Sequence, residues 1–268
     1  MKILCLSDIH LKQRDSIEAK RLIQAIRDSS SDMKVIDAVF VIGDFTENGS
    51  DLEYQIFEDI ISSELSKETK LVVSLGNHEN MRKESNSHQK FYDLFSYPAS
   101  NVFDINGYKV ITLSTGKDEK ISTQMLKWLD EKLKLAHEYD SKKPIFFLHH
   151  YPAFDEVPYS VMGGQPILFD LLKHYPNVIH ISGHTHPDLK DERILSLEPF
   201  ISYNNGSLSW QIYRDELFVK KENRKRAGQY SVIEIDDSNQ MVIYRYEIED
   251  ESKKSIKIGE MRIYWTIG

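Results

Sequence analysis

Five short clusters of Asp, His and Asn hold the side chains of this 268-residue chain that are best equipped for chemistry. They are Asp8-Ile9-His10, Asp44, Asn77-His78-Glu79, His149-His150 and His184-Thr185-His186, and six of the ten histidines fall in them. Imidazole and carboxylate together suit divalent zinc, iron or manganese, and the single cysteine, Cys5, stands outside the clusters. A carboxylate has two oxygens and can serve two ions at once, which makes Asp44 the central candidate for a bridge. Asp8 and His10 are two residues apart, so an extended backbone would point both to one side, and His184 and His186 repeat that spacing. Two ions ~3.5–4 Å apart trap a bridging water and lower its pKa, which is chemistry for hydrolysis.

Each cluster follows an apolar run that reads as a strand. The runs Lys2–Ser7, Ala38–Ile42, Leu71–Leu75, Tyr108–Leu113, Pro144–Leu148 and Val178–Ser182 are rich in Val, Ile, Leu and Phe, as buried sheet strands are. Between them lie helical stripes: Ala19, Leu22, Ile23 and Ile26; Leu52, Ile56 and Ile60 behind Ser50-Asp51; Leu126, Leu129, Leu133 and Ala136 after Ser122; and Leu168, Leu171 and Leu172 near Pro166. Alternating strands and helices predict an α/β fold with its site at the carboxyl ends of the strands. Gly43, Gly76 and Gly183 precede three of the clusters and permit the tight turns that aim a side chain back over the strand edge. Singly, Asp8, Asp44 or Asn77 would be an ordinary turn residue. The five clusters in order, each behind a strand, argue for a site.

Past Leu195 the chain turns β-rich: Ile201–Tyr203, Ser209–Tyr213, Tyr230–Ile235, Met241–Ile248 and Arg262–Trp265 read as strands. No linker precedes them. Residues 1–268 therefore read as one domain, an α/β part over 1–195 and a β-rich part over 196–268 that completes a second sheet packed on the first. The charge of −8 argues against general polyanion binding, so nucleic acid is a disfavoured partner. No run of ~18 apolar residues is present, so no membrane span is expected. One cysteine and an N-terminus without the pattern of a signal peptide point to a reducing, cytoplasmic setting.

Asp8-x-His10, Gly43-Asp44, Gly76-Asn77-His78-Glu79, His149-His150-x-Pro152 and Gly183-His184-x-His186 together resemble the calcineurin-like metallophosphoesterases, in order and spacing, over residues 3–187. The resemblance implies a four-layer fold: a β-sandwich of two sheets flanked by helices. It implies two divalent ions, one held by Asp8, His10, Asp44 and His186, the other by Asp44, Asn77, His149 and His184. In this family the first histidine of the His-His pair is the ligand, here His149, which leaves His150 behind the ligands or facing the substrate. His78 is implied as the proton donor to the leaving oxygen. The activity implied is hydrolysis of a small phosphorylated substrate by metal-bridged hydroxide. Gly43-Asp44-Phe45-Thr46-x-x-Gly49 and His149-His150-x-Pro152 look most like the cyclic-nucleotide and glycerophosphodiester phosphodiesterase branch. The competing readings are a phosphomonoesterase or nucleotidase and, from another class, a metal-poor binding scaffold. Such scaffolds lose ligands, and all seven are present here.

The loop Tyr151–Gln165 joins a cluster-bearing strand to a helix and is expected to line the substrate pocket through Asp155 and Tyr159. The basic stretch Lys220–Arg226 reads as a solvated loop, and His180, between Ile179 and Ile181, as a core residue.

Overall fold

The computed structural model describes residues 1–30, 35–81, 86–116, 119–153, 164–212, 224–225, 227–249 and 254–264. Two six-stranded sheets form its centre. The first contains β1 (Lys2–Leu6), β2 (Ala38–Ile42), β3 (Lys70–Ser74), β12 (Gly228–Ile235), β13 (Met241–Ile248) and β14 (Ile256–Ile263), in the order β14-β13-β12-β1-β2-β3. The second contains β4 (Asn101–Ile105), β5 (Tyr108–Thr112), β6 (Ile145–Leu148), β7 (Val178–Ser182), β8 (Leu195–Ser196) and β9 (Ile201–Asn204), in the order β4-β5-β6-β7-β9-β8. A short ribbon pairs β10 (Gln211–Ile212) with β11 (Arg224–Lys225).

Alternation along the strands creates the layers. In β1, Ile3 and Cys5 enter the core between the sheets while Leu4 and Leu6 face the opposite way, and Phe40 and Val41 in β2 divide likewise. Phe40 meets Phe146 of the facing sheet edge-on, ring centres 5.7 Å apart. Beyond the first sheet lie α1 (Ile17–Ser30), α2 (Asp51–Glu64) and α3 (Ser87–Phe95), with Leu22, Ile26, Ile56, Phe57 and Phe91 on that outer core. Beyond the second lie α4 (Thr123–Tyr139) and α5 (Pro166–Leu172), with Leu129, Leu133, Leu168 and Leu172 on a third core. The four-layer sandwich expected from the resemblance is thus observed. Helix α2 starts at Ser50 with a full capping box: Ser50 accepts from the Glu53 N–H and Glu53 accepts from the Ser50 N–H.

The β-rich C-terminal part contributes to both sheets, where the sequence predicts that it completes the second alone. It is divided: β9 joins β7 in the second sheet, while β12 pairs antiparallel with β1 and extends the first. What matters for the site is direction. Strands β1, β2 and β3 run parallel, as do β5, β6, β7 and β9, so the carboxyl ends of β1, β2, β3, β6 and β7 meet along one edge of the sandwich. Among the described residues no helix is long and apolar enough to cross a membrane.

Candidate metal centre

Along that edge the clusters converge. Asp8, His10 and His186 bring ligand atoms within 4.8 Å of one another; so do Asp44, His150 and His184; so do His10, Asp44 and His78. Asp44 therefore reaches both groups, as a bridging carboxylate must. Asn77 joins the second group: its Oδ1 lies 3.2 Å from His150 Nε2 and 3.0 Å from His184 Nδ1.

The side chains do not converge by strand alternation, as two-residue spacing had predicted. Asp8, His10, Asp44, His184 and His186 have left-handed backbones, with φ of 51°, 55°, 50°, 69° and 48°. Such a conformation costs a non-glycine residue about 1–3 kcal/mol, so the surroundings must impose it. Cross-bonds between the loops do so. Asp8 N–H donates to Gly43 O (3.2 Å), His10 N–H to Asp44 O (2.9 Å) and Glu47 N–H to Leu11 O (3.0 Å). The Asp8 carboxylate accepts the N–H of His184 at 3.0 Å. Gly76 and Gly183 are required by close approach: a Cβ on Gly76 would strike the Asp44 carboxylate, and one on Gly183 would strike Ser7 Oγ and the Asp8 carboxylate.

Glu79 braces the second group from beneath. Its buried carboxylate accepts from Asp44 N–H (3.0 Å), Gly76 N–H (2.7 Å), Thr46 N–H (2.8 Å) and Thr46 Oγ1 (2.8 Å), tying the loop after β2 to the loop after β3.

The donor set fits divalent cations on a structural test. A backbone carbonyl can only accept, so a ring nitrogen bonded to one carries a proton, and in the neutral ring the other nitrogen keeps its lone pair. His186 Nδ1 donates to Trp210 O (2.9 Å) and His150 Nδ1 to Ile42 O (2.9 Å), which turns both Nε2 lone pairs toward the carboxylates. His186 Nε2 lies 3.0 Å from Asp8 Oδ1 and 3.4 Å from His10 Nε2; His150 Nε2 lies 3.2 Å from Asp44 Oδ2. Convergent lone pairs and carboxylate oxygens repel one another unless a proton or a cation lies among them. Both rings are held by the carbonyl bonds that commonly orient metal-binding histidines.

The charges agree. Burial opposes ionisation of Asp8, yet His186 and His150 hold its pKa down at about 2, and His150 holds Asp44 far below the usual carboxylate range. Burial keeps His184 neutral, its pKa lowered to about 4. His150 goes the other way: burial opposes its charge, but Asp44 and Asp8 raise it to about 10, so a proton takes the place of a cation there.

His149 is not where the resemblance put it. Ile145, Phe147 and His149 share one side of β6 and its extension, toward the helices; Phe146, Leu148 and His150 share the other, toward the first sheet. The His149 ring stacks on Phe147 at 6.0 Å, donates from Nδ1 to Leu113 O (2.7 Å), and is kept neutral by burial with its pKa lowered to about 4. His150 occupies the position at the centre that His149 was expected to fill. His180 is buried against Phe147, as its core reading requires.

His78 stands beside the centre, half-buried. Its Nδ1 donates to Glu47 O (2.7 Å), its Nε2 lies 3.9 Å from Asp44 Oδ2, and its ring meets His10 edge-on at 4.4 Å. Burial works against its charge, but Asp44, the Glu47 carbonyl and the Glu47 carboxylate together raise its pKa. Glu47, which the sequence does not single out, places its Oε2 3.1 Å from His10 Nδ1. Asp155, Tyr159 and the greater part of the Tyr151–Gln165 loop lie outside the described residues, as does Lys220–Arg226 apart from Arg224 and Lys225. The described base of the loop reaches the centre: the buried Tyr151 ring is 4.6 Å from that of His184.

Comparison with known proteins agrees with this geometry. The family model of calcineurin-like phosphoesterases (Metallophos) matches residues 1–188. A probable glycerophosphodiester phosphodiesterase GpdQ of Arcobacter nitrofigilis is 26% identical over 204 residues, 69% of this chain and 72% of that one. A probable cyclic nucleotide phosphodiesterase of Rhodococcus erythropolis is 26% identical over 194 residues, 68% of this chain and 63% of that one. Among solved structures, purple acid phosphatase PPD1 from yellow lupin (Lupinus luteus) seeds aligns with a TM-score of 0.65 at 14% identity, over 98% of this chain and 53% of the phosphatase, a likeness of fold. The chain belongs to the calcineurin-like phosphoesterases. It is a metal-dependent phosphoric ester hydrolase, and its clustered Asp and His ligands fit the dinuclear centre of that family.

Proposed function

We propose that the chain hydrolyses small phosphodiesters, cyclic nucleotides among them, at a pair of divalent manganese, iron or zinc ions. The observation that carries this reading is the meeting of two ligand groups at Asp44 with His78 alongside. Asp8, His10, Asp44 and His186 would hold one ion, and Asp44, Asn77, His150 and His184 the other. When bound, the ions supply Lewis acidity to the phosphoryl oxygens and an acidified water as the nucleophile. The protein supplies the rest. Left-handed loops hold the ligands before the ions arrive, so no reorganisation is needed at the moment of reaction. His78, its Nδ1 fixed on the Glu47 carbonyl, presents Nε2 toward the site with its pKa raised, which suits delivery of a proton to the departing oxygen. Both sequence relatives carry the name of a probable phosphodiesterase, which favours a diester over a monoester.

The test is turnover of bis-nitrophenyl phosphate, nitrophenyl phosphate, cyclic nucleotides and mononucleotides by manganese-loaded protein. The diesters should turn over faster. Faster monoester hydrolysis would make it a phosphomonoesterase or nucleotidase, and full metal loading without turnover would make it a binding scaffold. His78→Ala sharpens the assignment. A positioned acid contributes roughly 10²–10⁴-fold, chiefly when the leaving group is a strong base. The loss should be far larger on a ribose or glycerol ester than on a nitrophenyl ester, and equal losses would remove His78 as the donor.

A further inference from the structure

The segment between β9 and β10, Asn205–Trp210, carries no Asp, Glu, His or Cys, yet it touches the centre at two points. Trp210 O accepts the Nδ1–H of His186 at 2.9 Å, and the Trp210 indole lies over the same ring, centres 4.0 Å apart and tilted by 35°. Three residues earlier, Ser207 Oγ donates to Asp8 O at 3.1 Å. The same hydroxyl oxygen accepts from Trp210 N–H (3.3 Å) and Ser209 N–H (3.1 Å), which closes the turn on itself. One turn thus grips both Asp8 and His186, two members of the first ligand group.

The turn is itself anchored. Leu208 N–H donates to Ser7 O at 3.0 Å, the residue before Asp8. The buried Arg21 guanidinium of α1 donates to Leu208 O at 3.2 Å. On the far side, Ile212 N–H donates to His186 O at 2.7 Å, and Asn204 Nδ2 donates to Gly183 O at 2.7 Å. His186 is therefore held at its ring nitrogen and on its ring face by Trp210, and at its backbone by Ile212 of β10.

We propose that Trp210 is a positioning residue for the Asp8–His10–His186 half of the metal centre alone. Its carbonyl fixes the tautomer that leaves the His186 Nε2 lone pair facing Asp8, and its indole stops that ring from turning and excludes water from it. Partners of this kind, acting through a ligand, change metal affinity by about 10–100-fold when removed. This inference rests on the dinuclear reading above.

Equilibrium dialysis of full-length protein against Mn²⁺, with elemental analysis, reads it directly. The native chain should bind two Mn²⁺. Trp210→Ala, which removes the indole and keeps the carbonyl, should weaken one of them by about tenfold, the low end for such partners, and leave the other unchanged. Trp210→Phe, which keeps an aromatic face on the ring, should restore most of the affinity. The double variant Trp210→Ala/His150→Ala should bind neither ion tightly, because the two changes fall on different halves. Should Trp210→Ala fail to fold, Ser207→Ala, which removes one hydroxyl from inside the same turn, must show the same one-ion loss. Equal weakening of both ions, unchanged binding in Trp210→Ala or Ser207→Ala, or a double variant no worse than His150→Ala would overturn the proposal. A native chain that takes up no Mn²⁺ would instead overturn the dinuclear reading itself.

Discussion

The two halves of the centre are built from the same residue types by different means. Asp8, His10 and His186 all sit on left-handed backbone and are held by loops, above all by the turn at Ser207 and Trp210. The Asp44 half is built otherwise. Asn77 and His150 are not on left-handed backbone there, and the Glu79 carboxylate gathers the N–H groups of Asp44, Thr46 and Gly76. One half thus depends on a C-terminal segment far from Asp8 in sequence, the other on the buried carboxyl of Glu79. Damage should accordingly be local to a half, except at the residue they share.

The largest effect is expected at that shared residue. Asp44→Ala should strip both sites, with metal content well under two per chain and activity at background; a variant that keeps two tightly bound ions would remove Asp44 as the bridge. Next comes the brace. Glu79→Gln turns one acceptor oxygen into a donor facing N–H groups, and should cost about 2–3 kcal/mol of stability by denaturant titration. It should also weaken the ion at the Asp44–His150 side more than the other. Equal weakening would mean that the halves are not separately supported. A smaller effect is the pH dependence of that same ion. His150 is raised to about 10, so near neutrality a proton occupies it in the metal-free protein, and the cation must displace that proton. Uptake should strengthen as pH rises, about tenfold per unit for each proton released, and weaken as pH falls. Affinity independent of pH between 6 and 8 would show that His150 does not take part.

Much of this was legible in the sequence, for identifiable reasons. Strands β1, β2, β5, β6 and β7 are short apolar runs between turn formers, and their bounds fall within a residue of expectation. β4, Asn-Val-Phe-Asp-Ile, is a half-exposed edge strand whose mixed composition hid it, and the start of the exposed β14 was missed likewise. Pairing across the chain was not legible: Cys5 faces Ser231 across more than two hundred residues, and nothing local announces it. Site residues of distinctive type stood out. Ser207 and Trp210 act through a hydroxyl and a carbonyl, so residue type gives no hint of them. The choice between His149 and His150 failed because β6 is buried on both faces. Ile145-Phe146-Phe147-Leu148 shows no polar alternation that would say which side faces the other sheet.

That choice is where the account is most exposed. His150 points to Asp44 and Asn77, whereas His149 stacks on Phe147. Metal content of His149→Ala and His150→Ala, dialysed side by side against Mn²⁺, separates the two placements. His150→Ala should retain one tightly bound ion. His149→Ala should retain both and lose only stability, roughly 1–3 kcal/mol. The reverse pattern, one ion lost from His149→Ala and two kept by His150→Ala, would contradict the architecture of the centre described above.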